Sequence, residues 1–154
     1  GATTVVAGFG GTIVGGWLGD FFDRKRAHGS LLLSAAGLVA AAPLMLLASK
    51  QLGPTLLIVS LVAAQFLIFL NNGPLNAAIV NVVPASMRAF AFSVSTVTLH
   101  LLGDAMSPTV IGWVSDRSSL AVALRLNALP VLLSGLVLFV AASQLTKLTA
   151  VLKR

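Results

Sequence analysis

A histidine and an aspartate lie one helical turn apart in an otherwise apolar stretch of the chain, at His100 and Asp104. An imidazole can change its charge near neutral pH, and a carboxylate one turn away can orient it through a charge-assisted hydrogen bond. Ionisable groups in membrane-like segments are costly and usually face a cavity or a bundle interior. The pair therefore predicts a protonation switch on a transport path, and the alternative is a His–Asp pair that only holds two helices together.

Hydroxyl-bearing residues extend this pair into a polar stripe along the same predicted helix. Positions three and four apart share a helical face, which aligns Ser93, Thr96, His100, Asp104 and Ser107. Ser107 lies two turns after His100, so activation of a nucleophile is a second chemistry that these residue types allow. Neither a Gly-x-Ser-x-Gly motif nor a paired-histidine metal motif accompanies them in the sequence. We therefore favour proton handling and expect no catalytic residue, metal or cofactor.

A second polar set lies on a neighbouring apolar segment, where Gln65, Asn72 and Asn76 share one face. Amide side chains hydrogen-bond between membrane helices, so these residues either hold helices together or line a cavity. The adjacent Gly73 and Pro74 predict a bend that would open backbone carbonyls toward a path. We include Asn72 and Asn76 among the predicted path residues, with the interhelical role as the alternative.

The composition indicates whether these residues belong to a soluble protein or to a membrane protein. The chain has 154 residues, of which 57% are hydrophobic and 9% charged, and its mean hydropathy is +0.99. Soluble domains carry about 25% charged residues, so a soluble protein is excluded. The formal net charge is +6, but the cations lie in short segments between apolar runs, without the interleaved aromatics of a nucleic-acid site. The sequence contains no cysteine, which excludes disulfides and Cys-ligated metals.

Five apolar segments have the length that a membrane span requires, which is about 20 residues. They cover residues 2–18, 29–48, 54–83, 87–115 and 120–145. The third and fourth are longer than a bilayer needs, so we expect a tilt or a break in each. The sequence Asn-Asn-Gly-Pro at 71–74 predicts the break in the third span, because proline removes a backbone donor. The fold class is therefore an all-α integral membrane protein with five transmembrane helices.

The distribution of lysine and arginine predicts the orientation of these spans. The loops on one side of the membrane carry Arg24, Lys25, Arg26, Arg88, Lys147, Lys153 and Arg154. The loops on the other side carry Lys50, Arg117 and Arg125. Short loops rich in Lys and Arg stay in the cytoplasm, so the first side is cytoplasmic. The chain then begins outside and ends inside, which favours a fragment of a longer transporter.

Two short segments resemble each other, GWLGD at 16–20 and GWVSD at 112–116, and each continues toward an arginine. Three spans separate them, so they lie on opposite sides of the membrane. Such spacing is typical of inverted repeats in secondary transporters. Chance similarity of two helix ends is the alternative, and the sequence leaves both open.

The segment 16–26, GWLGDFFDRKR, resembles the cytoplasmic loop signature of the major facilitator superfamily, with Phe21 in place of the usual arginine. The segment 83–117 contains HLLGD followed by Ser-Pro and IGWVSD, and it is similar to the eleventh-helix region of Spinster-type transporters. Together these two motifs identify the whole chain as helices eight to twelve of a twelve-helix transporter.

The resemblance implies that residues 1–154 form most of the six-helix C-terminal half of a major facilitator transporter. It implies proton-coupled export of amphiphilic lipids such as lysophospholipids or sphingoid phosphates, with protons, membrane lipids and the N-terminal half as partners. Efflux of other small organic solutes or drugs is the alternative within transport. Outside transport, the alternatives are an intramembrane enzyme or a non-transporting scaffold. We expect a multi-pass protein of a bacterial inner membrane that binds no nucleic acid.

The loop motif is assigned to gating, through Gly16, Asp20, Arg24 and Arg26, because the resemblance implies that such loops latch the two halves together. Asp20 ends the first span, where the helix dipole disfavours an anion. It therefore needs a positive partner. That partner is either Arg24, one turn further on, or the N-terminus of a helix outside this chain.

Overall fold

The computed structural model of the protein describes residues 1–26, 28–50, 53–104 and 106–152, with the backbone alone at 82, 102, 104, 106 and 147–152. All secondary structure in these ranges is helical, which confirms the predicted all-α membrane fold. The α-helices are α1 (Ala2–Lys25), α2 (Gly29–Ala48), α3 (Pro54–Phe69), α4 (Asn72–Val82), α5 (Arg88–Thr98), α6 (Met106–Arg117) and α7 (Leu120–Leu152). A 3-10 helix, Ala85–Met87, precedes α5, and a π-helical segment, Leu99–Asp104, follows it.

Four helical stretches of the described chain are long and apolar enough to cross a membrane. They are Ala2–Lys25, Gly29–Ala48, Pro54–Asn81 and Leu120–Thr146. These stretches correspond to the first, second, third and fifth predicted spans. The fourth predicted span is represented by α5, the π-helical segment and α6 in succession, with position 105 outside the described residues.

The predicted break in the third span is present, because α3 ends at Phe69 and α4 begins at Asn72. The side-chain amide of Asn71 donates to the Ile68 carbonyl over 2.5 Å and fills the turn between the helices. Pro74 is the third residue of α4, where backbone N–H groups have no intrahelical acceptor. The proline therefore fits into the start of a new helix and does not interrupt an old one.

The π-helical segment Leu99–Asp104 departs from the uniform helix that the polar stripe assumes. Pro108 follows in the first turn of α6, and a proline ring clashes with the carbonyl four residues earlier, which here is that of Asp104. The wider π-helical backbone ends at Asp104, just before this point. Because a π-helical turn adds a residue, positions before and after it no longer keep the α-helical register.

Helix α2 is the centre of the assembly and packs against α1, α3 and α7, while α6 packs against α7. A buried cluster of Met45, Ala64 and Ala128 joins α2, α3 and α7. Its two alanines allow the close backbone approach that is typical of helices packing in lipid. Helix α5 differs, since its main contacts are with α4, the 3-10 helix and the π-helical segment, which are its neighbours in sequence.

A face of glycines on α1 packs against the break between α3 and α4. A side-chain carbon at Gly11 would lie 2.5 Å from the Phe66 carbonyl oxygen, and one at Gly15 would overlap the backbone of Leu70. Glycine is therefore required at Gly15 to let the two helices touch. The glycines of α1 thus permit a closer approach to α3 than any larger residue would allow.

Candidate functional site

The predicted gating loop lies at the end of α1 and in the short connection to α2. Arg26 takes an extended conformation, and its backbone N–H still donates to the Phe22 carbonyl. The Lys25 ammonium lies over the Phe21 ring, 4.2 Å from its centroid. The exposed side chains of Arg24 and Arg26 complete a basic helix end, and cations at a helix C-terminus are favoured by its dipole. Positive charge is thereby concentrated at this end of the bundle.

Asp23 joins the two helices of the loop, a role that the sequence reasoning missed. Its Oδ1 accepts a hydrogen bond from the backbone N–H of Ser30 over 2.8 Å. Ser30 is the second residue of α2, so the carboxylate satisfies one of the unpaired donors at that helix start. The sequence signal for this role is an aspartate that lies a few residues before a predicted helix start. It was overlooked because a capping residue normally lies next to the helix that it caps.

The loop motif and the break in the third span meet at a small cavity of about 80 Å³. It is lined by Gly16, Gly19, Asp20, Asp23, Ser30, Gly73, Pro74 and Ala77. Any side chain on Gly73 would meet the backbone of Gly16, 2.8 Å away. Two features far apart in the sequence are thus in contact, through Gly16 of the loop motif and Gly73 of α4.

Asp20 reaches the rim of this cavity and is exposed. Within the part of the chain that the structure describes, its carboxylate forms no ion pair with Arg24. The Asp20 carboxylate is therefore accessible for a contact with another segment of the protein. Its role in gating remains a prediction.

The polar residues of α5 and the π-helical segment lie on a surface that the described chain leaves open. Ser93, Thr96 and His100 are all exposed. The Ser93 hydroxyl donates to the Ala89 carbonyl of its own helix over 2.9 Å, so it is engaged within α5. Asp104 ends the π-helical segment, and its side chain lies outside the described residues. The predicted contact between His100 and Asp104 therefore remains a prediction.

Ser107 lies apart from these residues, in a groove of about 280 Å³ between α6 and α7. The groove is lined by Ser107, Val110, Ile111, Val114, Ala123, Leu126, Asn127 and Pro130. Ser107 is half-buried, whereas Thr96 and His100 are exposed. The π-helical segment between them accounts for the difference, because it changes the register on which the polar stripe was based.

The asparagines of α4 are also exposed. Asn72 and Asn76 lie one turn apart, while Gly73, Pro74 and Ala77 of the same helix line the small cavity beside α1. Both proposed roles, lining a cavity and joining helices, require a neighbour on this exposed face.

At the opposite end of the bundle, Arg125 ties α7 to α2. Its Nε donates to the Ser49 hydroxyl oxygen over 3.1 Å, and that hydroxyl donates to the Leu46 carbonyl over 2.7 Å. The arginine therefore lies near the C-terminus of α2, where a cation is favoured. The sequence showed Arg125 only as a charge that helps to orient the chain.

The described side chains include no group of three or more residues able to hold a metal ion. What the site offers is polar and charged groups on exposed helix faces, together with a basic helix end. Such an arrangement can bind an amphiphile or contact a further protein segment.

Comparison with known proteins identifies relatives among transporters. The chain is 30% identical to the probable sphingolipid transporter spinster homolog 2 of Arabidopsis thaliana over 117 residues, which are 75% of this chain and 24% of that protein. It is 31% identical to a sphingosine-1-phosphate transporter of Xenopus tropicalis over 118 residues, 75% of this chain and 23% of the relative. It is also 31% identical to the protein spinster homolog 3 of Danio rerio over 123 residues, 77% of this chain and 24% of the relative.

The chain spans about a quarter of the length of these curated relatives. No protein-family model matches the sequence, and no solved structure matches it significantly. These relatives are named as spinster homologs or as sphingolipid and sphingosine-1-phosphate transporters. The chain belongs to the Spinster-type transporters of the major facilitator superfamily.

Proposed function

We propose that this chain forms helices eight to twelve of a twelve-helix transporter that exports amphiphilic lipids, with sphingoid phosphates or lysophospholipids as the substrate class. The observation that carries the proposal is the similarity to proteins named as sphingolipid and sphingosine-1-phosphate transporters. Because the chain covers only about a quarter of those proteins, the rest of the transport path belongs to segments outside it.

The open face of α5 supports this substrate class. Thr96 and His100 are exposed beside Val97 and Leu99, which are 55% and 64% exposed. A surface of alternating polar and apolar groups suits a molecule with a charged head and a long chain. In a complete transporter this face would be covered by other helices or by substrate, because an exposed ionisable group facing lipid is costly.

Proton coupling is the second part of the proposal, and His100 is its proposed centre. A proton can drive transport only if it binds more tightly to one conformational state than to the other. The imidazole lies at the π-helical segment, and such segments occur frequently at functional sites. A conformational change that alters the surroundings of His100 would supply the required difference in proton affinity.

Asp20 is proposed to act in gating. Its exposed carboxylate, which does not pair with Arg24 in the described chain, is suited to bind a helix N-terminus of the N-terminal half. Formation and loss of that contact would stabilise one state of the transporter over the other. Substrate sites of secondary transporters lie near the middle of the membrane, whereas Asp20 lies near the end of α1.

Transport by the full-length protein in proteoliposomes tests the proposal. Sphingosine phosphate or a lysophospholipid should leave or enter the vesicles faster with an imposed pH gradient than without one. Uptake of organic cations or drugs, with no lipid transport, would favour the alternative of solute efflux. Turnover of the lipid into a new product would favour an enzyme. No movement of any substrate would favour a scaffold.

The chain is an integral membrane protein, since its relatives are transporters and its helices are apolar. We propose a bacterial inner membrane as its location, although the relatives above are eukaryotic proteins. Fractionation of source cells, with immunodetection of the protein in the inner-membrane fraction, tests this assignment.

A further inference from the structure

The groove between α6 and α7 has the form of a site for one hydrocarbon chain. Its volume is about 280 Å³, and apolar side chains form most of its walls, with Ser107 and Asn127 as the polar exceptions. Sites for drug-sized ligands start near 300 Å³, so the groove can take one chain but not a whole phospholipid. Val110 and Leu126, which are 55% and 50% exposed, form its open edges.

The distance from the groove to Arg117 matches one leaflet of a bilayer. Ser107 lies at its inner end, and Arg117 follows ten residues later at the end of α6. At a rise of 1.5 Å per residue this distance is roughly 15 Å, which is half of a hydrocarbon core about 30 Å thick. An acyl chain that enters from one surface would therefore end near Ser107.

Arg117 is placed to bind the head of the same molecule. It lies three residues after Val114 and seven after Val110, so it continues the groove-lining face of α6 beyond the groove. Its guanidinium stacks on the Trp113 ring, 4.3 Å from the centroid. Stacking occupies the flat face of the guanidinium and leaves its in-plane N–H groups as donors, which suit a phosphate. Asp116 is the adjacent residue and so lies on a different helical face.

We infer that this groove binds one acyl chain of an anionic bilayer phospholipid, whose phosphate Arg117 holds at the membrane surface. The occupant is a lipid of the surrounding bilayer and not the transported molecule. Of the two other cations at this end, Arg125 donates to Ser49 and Lys50 follows α2 outside the groove lining, so Arg117 supplies the charge that selects the headgroup. The inference concerns a site at the edge of the bundle and does not depend on the proposed transport activity.

Fluorescence quenching in the full-length protein tests this site. Trp113 is kept as the single tryptophan, and the others are changed to phenylalanine. The protein is reconstituted in phosphatidylcholine with increasing amounts of phosphatidylglycerol that carries bromine on its acyl chain. We expect quenching that exceeds the mole fraction of brominated lipid, with roughly a fivefold preference for phosphatidylglycerol, as one cation near a membrane surface predicts.

Five variants separate binding of the headgroup from binding of the acyl chain. Arg117→Gln should lower the preference to about one, Arg117→Lys should keep most of it, and Lys25→Gln at the other end of the bundle should leave it unchanged. Val110→Phe fills the groove from its open edge and should also remove the preference. Val140→Phe, at a position of α7 that is 57% exposed and outside the groove, is its matched control.

Three outcomes would overturn the inference. Quenching that only follows the mole fraction would mean that lipid passes the groove without binding. Absence of quenching would mean that another segment of the protein covers it. Displacement of the brominated lipid by excess sphingosine phosphate would mean that the groove belongs to the transported molecule.

Discussion

The Asp23 carboxylate at the end of α1 accepts a 2.8 Å hydrogen bond from the backbone N–H of Ser30 at the start of α2. One anion therefore lies at the unfavourable end of its own helix dipole and at the favourable end of the next. The second interaction offsets the first, because the carboxylate satisfies a donor that would otherwise lack a partner. The contact fixes the turn of the predicted gating loop and holds α1 close to α2.

Loss of this contact should weaken the loop. Asp23→Ala is expected to cost about 1 kcal/mol of stability, as replacement of a capping side chain usually does. Asp23→Asn keeps an acceptor oxygen and should lose less. Thermal unfolding of the purified protein in detergent measures the difference, with Asp20→Ala as the control at an exposed position that makes no such bond. Equal stability of the Asp23→Ala and Asp20→Ala variants would contradict the capping role.

The glycine face of α1 offers a matched pair of substitutions at neighbouring positions. Gly15→Ala forces a methyl group into the backbone of Leu70, whereas a methyl group at Gly16 meets nothing within 4 Å. Overpacking a close contact costs about 1–3 kcal/mol, and alanine in an open helical position favours the helix by roughly 0.5–1 kcal/mol over glycine. Gly15→Ala should therefore lower the unfolding temperature and Gly16→Ala should not. The close α1–α3 packing would be refuted if both variants unfolded at the wild-type temperature.

Asp20→Asn should change the transport rate and the balance between inward-open and outward-open states without changing substrate affinity. The physical reason is that an amide interacts more weakly than a carboxylate with a helix N-terminus. Transport and binding assays on the same preparation, with distance measurements between labelled helices, report these quantities. Arg24→Gln is the informative comparison. If it reproduced every effect of Asp20→Asn, the partner of Asp20 would be Arg24 after all.

His100→Ala should flatten the pH dependence of transport while leaving the protein folded. Histidine changes its charge near neutral pH and alanine does not, so a variant without the imidazole loses the proposed coupling group. Initial transport rates across a range of pH values measure the effect. Ser93→Ala is the matched control on the same helix, because its hydroxyl bonds to its own backbone. A fully active His100→Ala protein with the wild-type pH profile would leave only a packing role.

The predicted orientation can be tested with single cysteines at the two ends of α2. Lys50→Cys should react with a membrane-impermeant maleimide added outside the cell, and Arg26→Cys should react only after the membrane is opened. Both native side chains are exposed, so accessibility to the reagent depends on the side of the membrane. The reverse labelling pattern would invert the topology of the whole chain.

Several features follow from the sequence because their causes are local. A run of apolar residues dictates a span wherever it lies in the fold, and the structure agrees for residues 2–25, 29–48, 54–81 and 120–146. The break near Pro74 is equally local, since proline is accommodated in the first turn of a helix but not in its interior. The family also follows from contiguous motifs, which the similarity to the spinster proteins confirms.

Only the tertiary structure decides which residues become neighbours. The sequence does not show that Gly15 would contact Leu70, and it left Asp23 without a role. It also missed the π-helical segment at Leu99–Asp104, which moves Ser107 into the groove with α7 while Thr96 and His100 stay exposed. Hydropathy and helical periodicity are properties of one continuous segment. A capping bond and a glycine contact depend instead on how separate helices are placed relative to one another, and a change of register depends on how successive helices are joined.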